Sequence, residues 1–253
     1  MDEPPSISAK DPAARRRDGD GNLILNKILL QLPPEEFDLL SSKLEFVRLK
    51  RYQVVHEAGE TLKSAYFCNS GMFSVVNIMP DGKSVEVCQV GTEGFSGIPL
   101  IAGFRTSYTR TVVQAEATAF RIDAARFRAA FRELPTLERE VQRFAQLAAM
   151  QVAQIAACNR LHEVEERLAR WLLMCHDRIG SNSLPLTEDF LAEMLGSRRA
   201  SVSVAISVLT KAGFIEHKRG KAIILDRQGL EKACCDCYEQ LRWQTQEWQS
   251  QND

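Results

Sequence analysis

The sequence predicts an α+β chain in three parts: an antiparallel β-sandwich or roll, one long helix, and a winged helix-turn-helix. Three observations carry this expectation. Between residues 45 and 121, short β-rich runs alternate with turn glycines at 59, 71, 82, 91, 94 and 97, the texture of a many-stranded antiparallel domain. Residues 136–158 then place apolar side chains at spacings of three and four without a break, a helical period. Residues 185–225 read as helix, tight turn, helix and hairpin, the order of a winged helix-turn-helix.

Size and charge bound the function. At 253 residues the chain is long enough for two domains of ordinary size. Its net charge of −1 excludes a nonspecific polycation, so nucleic-acid binding needs a local basic patch. No apolar run approaches a membrane span, and the polar N-terminus has no signal-peptide core. The seven cysteines show no disulfide framework, so a reducing, cytoplasmic setting is expected.

Residues 1–21 are rich in Pro, Gly and charge and read as a disordered tail. Arg15, Arg16 and Arg17 lie within it, either solvated or touching DNA or a partner. The β-domain is assigned to residues 22–135. It opens with a helix carrying Leu23, Ile24, Ile28, Leu29 and Leu32, which Pro33-Pro34 breaks, and a second helix over 35–44. Strands are expected at 46–49, 54–57, 65–68, 73–76, 85–88, 111–114 and 119–122, with Asp81-Gly82 as a hairpin turn. A short helix over 124–131 precedes Pro135.

The long helix, with its hinge, is assigned to 136–160. Leu137, Val141, Phe144, Ala148, Gln151 and Ile155 form a coiled-coil-like seam, read here as a homodimer interface. The competing reading packs the helix along its own β-domain. Ala145, Leu147, Ala149, Met150 and Val152 lie outside that seam, so burial on two sides, roll and partner helix, is expected.

The winged helix is assigned to 161–240, with 241–253 as a tail. Its first helix, 163–178, buries Val164, Leu168, Trp171, Leu172 and Cys175. Thr187 caps the next helix, which buries Leu191, Met194 and Leu195 and stops at Gly196. Ser197 is expected to cap the second helix, whose buried face is Val202, Ala205, Ile206 and Leu209. The outward side of that helix carries Arg198, Arg199, Ser201 and Ser203 with no acid among them. Between 197 and 221 there are six Lys/Arg and one acid, Glu216. An arginine in a major groove can pair with both acceptors of guanine, and the wing cations Lys218, Arg219 and Lys221 suit phosphates.

In this order the elements resemble the Crp/Fnr family of bacterial transcription regulators, over residues 22–240. The junction Val164-Glu-Glu-Arg-Leu-Ala-Arg-Trp-Leu-Leu173 and the stretch from Thr187 through Gly196 to Ser201-Val202 carry most of it. Gly59-Glu60, Tyr66-Phe67 with Gly71, and Gly91-Thr-Glu-Gly-Phe-Ser-Gly97 support it. The resemblance implies a roll like that of cyclic-nucleotide-binding domains. It also implies a homodimer on a two-fold symmetric operator in double-stranded DNA, and recruitment or blocking of RNA polymerase. The DNA contacts it implies, with the basic patch, are Thr187, Ser197, Arg198, Arg199, Ser201, Ser203, Lys218 and Arg219. The runner-up reading is a nucleotide-binding regulatory module whose main activity is not DNA binding.

The sequence departs from the family in two places. Arg199 matches the first reading arginine, but Ala200 and Val204 stand where the family has Glu and a second Arg, so a different half-site is expected. In the roll, Gly94, Phe95, Ser96, Gly97, Ile98, Arg110 and Thr111 are the candidate ligand contacts. Ile98-Pro99 follows Gly97, however, so the carboxylate that holds a cyclic-nucleotide ribose is missing. No cofactor is therefore expected, cyclic nucleotide remains a competitor, and the residues name no effector.

No metal site is expected. An iron–sulfur cluster needs four thiolates, whereas Cys68 and Cys88 read as buried strand residues. Cys234, Cys235 and Cys237 lie on an expected helix over 230–248. There a thiol switch or metal site competes with packed thiols, and no histidine is near in sequence. His56, His162, His176 and His217 read as structural or solvated. With no nucleophile elbow, phosphate loop or zinc spacing, no enzyme is expected.

Overall fold

The computed structural model describes residues 16–250. Its first unit is a roll of six strands: β1 (Glu45–Leu49), β2 (Val54–His56), β3 (Ser64–Ile78), β4 (Ser84–Val90), β5 (Phe95–Ser96) and β6 (Thr109–Asp123). All pairings are antiparallel, in the order β1-β6-β3-β4, with β2 on β6 and β5 on β3. Residues 65–76 and 111–122, each read above as two strands, are single long strands. Gly71 is the reason on β3. It is left-handed at φ +72°, and a Cβ there would lie 2.3 Å from the Glu116 carbonyl oxygen of β6. This glycine lets β3 bend and hug β6 rather than turn the chain back.

Ahead of the roll stand α1 (Lys27–Leu30) and α2 (Pro34–Ser41). The helix expected from residue 22 is cut short because Asn69 accepts from the Leu25 and Asn26 amides at 2.7 and 3.2 Å. Asn26 then caps α1 and reaches the Cys68 and Gly94 carbonyls. The assignment of 1–21 to a disordered tail needs correction over its last residues. Arg16 donates to the carbonyls of Leu29 and Leu32 and stacks on Phe37, and Asp18 organises a turn with Asn22. Residues 1–15, including Arg15, lie outside the described residues.

Asp123 caps α3 (Ala124–Glu133), and α4 runs from Pro135 to Leu161, one turn further than the sequence indicates. The hinge, expected over 159–162, therefore shifts and shortens to His162 and Glu163, the latter closing a capping box with Glu166 at the start of α5 (Val164–Ile179). Next come β7 (Ser183–Leu184), α6 (Glu188–Leu195), α7 (Arg199–Lys211), β8 (Ile215–Lys218) and β9 (Lys221–Ile224), with β7-β9-β8 as the wing sheet. The helix expected over 230–248 is two helices, α8 (Arg227–Ala233) and α9 (Cys237–Ser250), broken at 234–236.

The expected tail beyond residue 240 is thus most of α9, which folds back along α4. Trp248 joins the roll core against Phe144, and Thr245 accepts from Gln151 at 3.0 Å. This corrects the dimer assignment. Leu137, Val141, Phe144, Ala148, Gln151 and Ile155 are all buried by their own chain, between the roll and α9. The face that α4 leaves open is a different stripe: Ala149, Val152, Ala153 and Ala156, flanked by Ala145.

The two hydrophobic cores meet across the domain boundary, because Met72 and Val76 of β3 belong to the core of α5 and the winged helix. Polar contacts reinforce the join. Glu86 of β4, fully buried, accepts from Trp171 Nε1 at 2.7 Å and from Gln89 and Ser74. Glu93 pairs with Arg178 of α5 at 2.8 Å, both almost excluded from water. Glu193 of α6 accepts from Ser84 at 2.8 Å.

Burial holds the Glu86 carboxyl above its ordinary value of 4.5, against the lowering effect of its three hydrogen bonds and of Arg170. The folded chain thus binds this proton more tightly than the unfolded one. The resulting stability is full below 4.5 and is lost as pH rises through the raised folded value, with a slope of at most about 1.4 kcal/mol per pH unit. Glu86→Gln keeps an acceptor for Trp171 and removes the titration. Chemical denaturation across pH should therefore show a shallower decline for Glu86→Gln than for the unaltered protein.

Candidate functional site

The reading surface is built by two helix ends and a turn. Thr187 caps α6, accepting from the Phe190 amide at 3.2 Å, and Gly196 ends it in the left-handed region. Ser197 does not cap α7. Its hydroxyl donates to the Leu195 carbonyl, and Arg198 occupies the cap position without a side-chain bond. Val202, Ala205, Ile206 and Leu209 face the core, as the sequence indicates. The opposite side of α7 is open: Arg199, Ser201, Ser203 and Val204 all face solvent, Val204 at 63% exposure. The wing is a two-residue turn, Arg219 and Gly220, both at positive φ (50° and 73°). This fits the twist of a tight hairpin and puts Lys218, Arg219 and Lys221 at its tip. His217 Nε2 ties the wing to the Leu186 carbonyl at 3.1 Å.

One electrostatic feature escapes the linear sequence. Arg199 has Asp189 and Glu188, from the first turn of α6, at 3.3 and 3.7 Å. The run 198–203 lacks acids, but its leading arginine is held by acids from the neighbouring helix.

In the roll, the seven candidate ligand contacts do not form one cradle. Gly94 sits under the Phe144 ring, where a Cβ would come within 2.0 Å of Cζ, and Phe95 stacks among Phe67, Phe127 and Phe144. Both serve the core and seat α4. Gly97, at φ +121°, opens a 3-10 turn over Ile98–Ala102, with Ile98 packed on the core. Ser96 donates to Thr111 Oγ1 at 3.2 Å, and both are buried. Arg110 pairs with Glu57 at 2.9 Å on the rim. Next to Ser96 lies His56, which sequence reasoning set aside as structural. It is buried against Tyr66 and bonded to the Ser96 backbone, its Nε2 has no partner, and burial pushes its pKa down to about 4. It borders a groove of about 370 Å³ together with Glu57, Glu60, Lys63 and Tyr66.

Comparison with known proteins agrees with this architecture. Residues 46–133 match the cyclic nucleotide-binding domain family, and residues 166–233 match the Crp-like helix-turn-helix domain family. The chain belongs to the Crp/Fnr family of transcription regulators. It is 25% identical over 193 residues to the transcriptional regulator LdrP of Thermus thermophilus, covering 73% of this chain and 94% of that one. It is 24% identical over 208 residues to the CRP-like cAMP-activated global transcriptional regulator of Mycobacterium tuberculosis, covering 79% and 92%. Among solved structures, a Crp/Fnr-type regulator from Eubacterium rectale superposes with a TM-score of 0.66 at 17% identity, covering 83% of this chain and 98% of that one. A CRP-family regulator from Thermus thermophilus gives 0.63 at 24%, covering 74% and 95%. The protein is a Crp/Fnr-type DNA-binding regulator, which does not favour the runner-up reading of a nucleotide-binding module alone.

Against the family frame, a second constellation stands out. Cys158, His162, Cys235 and Cys237 bring three sulfurs and an imidazole nitrogen within 4.8 Å of one another. The sequence puts Cys234, Cys235 and Cys237 on one continuous helix with no histidine near. The break between α8 and α9 turns Cys234 away and aims Cys235 and Cys237 at the end of α4. The one available signal was Cys158 and His162, four residues apart on a helix that ends there. The hydrogen bond from Cys235 holds the Cys158 thiol down to about 5, against the effect of burial, and Arg170 helps.

The Arg199 contacts yield a prediction. An exposed pair of this kind is worth about 0–1 kcal/mol, so Asp189→Asn should release Arg199 toward DNA and tighten binding by no more than about fivefold. Fluorescence anisotropy over a salt series would measure it. Unchanged or weaker binding would mean that Asp189 positions Arg199 rather than restraining it.

Proposed function

We propose that this regulator acts as a homodimer on a two-fold symmetric operator, under control of a signal received by the roll. The observation that carries this reading is the pairing of an open reading helix with an open stripe on α4. Ala149, Val152, Ala153 and Ala156 leave room for close approach of a second α4, whereas Leu137, Val141, Phe144, Leu147, Ala148 and Ile155 of that helix are already covered. With two copies of α7 about one DNA turn apart, roughly 34 Å, both would enter successive major grooves.

Arg199 is the proposed base reader, and Ser201 and Ser203 are adjacent polar contacts. Val204 presents a branched apolar surface where the family pattern has an arginine. Such a surface suits the methyl group of thymine. Lys218 and Arg219 would bear on phosphates, with Thr187, Ser197 and Arg198 near the backbone at the helix ends. Contact with RNA polymerase, a cytoplasmic setting and the absence of catalysis complete the reading. No helix among the described residues is long and apolar enough to cross a membrane.

Cyclic AMP is not the effector we favour. No carboxylate follows Gly97, and Arg110 is engaged by Glu57. The signal need supply only the difference in free energy between two arrangements of the winged helix.

Selection from a random DNA library, with and without cyclic nucleotides, tests this reading. A palindrome with half-sites one turn apart, enriched equally in both arms, is expected; strict dependence on cyclic AMP would overturn the choice of effector. Arg199→Ala should relax preference at one position per half-site by about 1–3 kcal/mol. Lys218→Ala should weaken binding to all sequences and lower the salt slope by about one. Ala149→Glu should convert the dimer to monomer in sedimentation, and a monomeric unaltered protein would defeat the dimer reading.

A further inference from the structure

We infer that Cys158, His162, Cys235 and Cys237 form a tetrahedral site for a single zinc-type divalent ion, which clamps the C-terminal helix to the hinge. The geometry is that of a mononuclear centre. Zinc–thiolate bonds of about 2.3 Å in a tetrahedron set sulfur–sulfur edges near ~3.8 Å. Here Cys158 Sγ and Cys235 Sγ are 3.4 Å apart, Cys237 Sγ and His162 Nδ1 are 3.5 Å apart, and no pair among the four ligand atoms exceeds 4.8 Å. Small side-chain rotations would complete the tetrahedron. The atoms are too close together to surround a multi-iron core. Three thiolates and an imidazole are a soft donor set that selects zinc over calcium or magnesium.

The backbone presents these donors from two places that rigid elements hold together. Cys158 and His162 stand one helical turn apart at the end of α4. Cys235 lies in the break after α8, and Cys237 is the first residue of α9, where the helix N-terminus favours a thiolate. A second layer is present as well, since Gln154 Nε2 donates to Cys237 Sγ at 3.1 Å.

Charge provides an independent observation. Arg170 is 2% exposed and Arg167 is 7% exposed, and the charge of each bears on Cys158. Arg170 Nε has no hydrogen-bond partner, and among the described residues no carboxylate oxygen lies within 4.0 Å of either guanidinium. A buried cation needs a buried anion. Three thiolates and a neutral imidazole on one M²⁺, with the remaining thiol protons released to solvent, give the centre a net charge of −1 beside these arginines. A disulfide between any two of the cysteines would be neutral and would leave the third thiol and His162 idle.

The site closes a loop of chain that contains α5 and the whole winged helix. Occupancy would fix the exit of that domain against the end of α4. The metal would thus hold the orientation of the reading helix; this last step rests on the function proposed above, whereas metal binding does not.

Cobalt titration of the full-length, reduced, chelator-treated protein provides the test. One Co²⁺ per chain is expected, with thiolate-to-cobalt charge transfer and the intense visible bands of a tetrahedral S₃N centre, displaced by Zn²⁺. Cys235→Ser should lower affinity by more than the ~100-fold typical of losing an outer-shell partner, and Gln154→Ala should lower it by about 10–100-fold. His162→Cys should retain one Co²⁺ with bands shifted to those of an S₄ centre, which guards against loss of signal through misfolding. Cys88→Ser, on a strand of the roll, should change nothing. A missing charge-transfer band in the unaltered protein, or an unchanged spectrum in both Cys235→Ser and His162→Cys, would overturn the site. A bound ion whose removal leaves the melting temperature and the proteolysis of α9 unchanged would overturn the clamp.

Discussion

The circumference of α4 can be used only once. Its apolar seam is taken by the roll on one side, through Phe144 on Phe95 and Gly94, and by α9 on the other, through Trp248 and Gln151. The stripe of Ala149, Val152, Ala153 and Ala156 stays open. Small residues give little apolar area per side chain but permit close approach of backbones, so such an interface gains from packing density more than from burial of large groups. The same constraint places the C-terminal helix. Because α9 lies along α4 rather than trailing from the winged helix, it packs with the half of the molecule that carries the roll.

Communication between roll and winged helix follows from α5. This helix belongs to the core of the winged helix, yet it also packs on Met72 and Val76 of β3. Its two ends are held by different chemistry. At one end Arg167 donates to the Leu195 carbonyl and to Asn159, across the hinge. At the other, Arg178 pairs with Glu93 in near exclusion from water. Breaking a buried pair by removing one partner costs about 3–5 kcal/mol because the other charge is stranded. A signal that moved Glu93 as a unit with Arg178 would cost far less, so rigid-body rotation of α5 with its partners is the economical route for switching. The turn at 91–97 that carries Glu93 also carries Phe95 and Ser96, so one segment joins the roll interior, α4 and α5.

Much of this arrangement was legible in the sequence, and what was not has a common cause. Periodicity and turn residues set the order of elements, the Thr187 cap, the Gly196 stop, and the buried face of α7, because each depends on residues close in sequence. The same signals identified the apolar seam of α4 without saying which surface it meets; Phe144 looks the same whether it packs on Gly94 of its own chain or on a partner. Gly71 read as a turn because its role, close approach to Glu116, is set by a strand far along the chain. Asp189 beside Arg199 was hidden for the same reason. The cysteines were misjudged because helix propensity across 234–236 overrode the possibility of a break, and Cys158 and Cys235 meet only once α9 has folded back.

The hinge itself is short: α4 ends at Leu161 and the capping box of α5 begins at Glu163. Such a joint has few dihedral angles through which to move, so the position of the winged helix is set less by the linker than by what grips the domain from outside. The grips lie at different points along α5. The roll holds it through Glu86 with Trp171 and Glu93 with Arg178, and the cysteine–histidine cluster holds the exit of the domain near Arg167 and Arg170. Two grips held apart along one helix define an axis. Loosening either one frees rotation about the other, whereas a single grip would leave the domain free to sample many orientations in both states. The proposed dimer, which would set two recognition helices at one separation on DNA, would need the first arrangement.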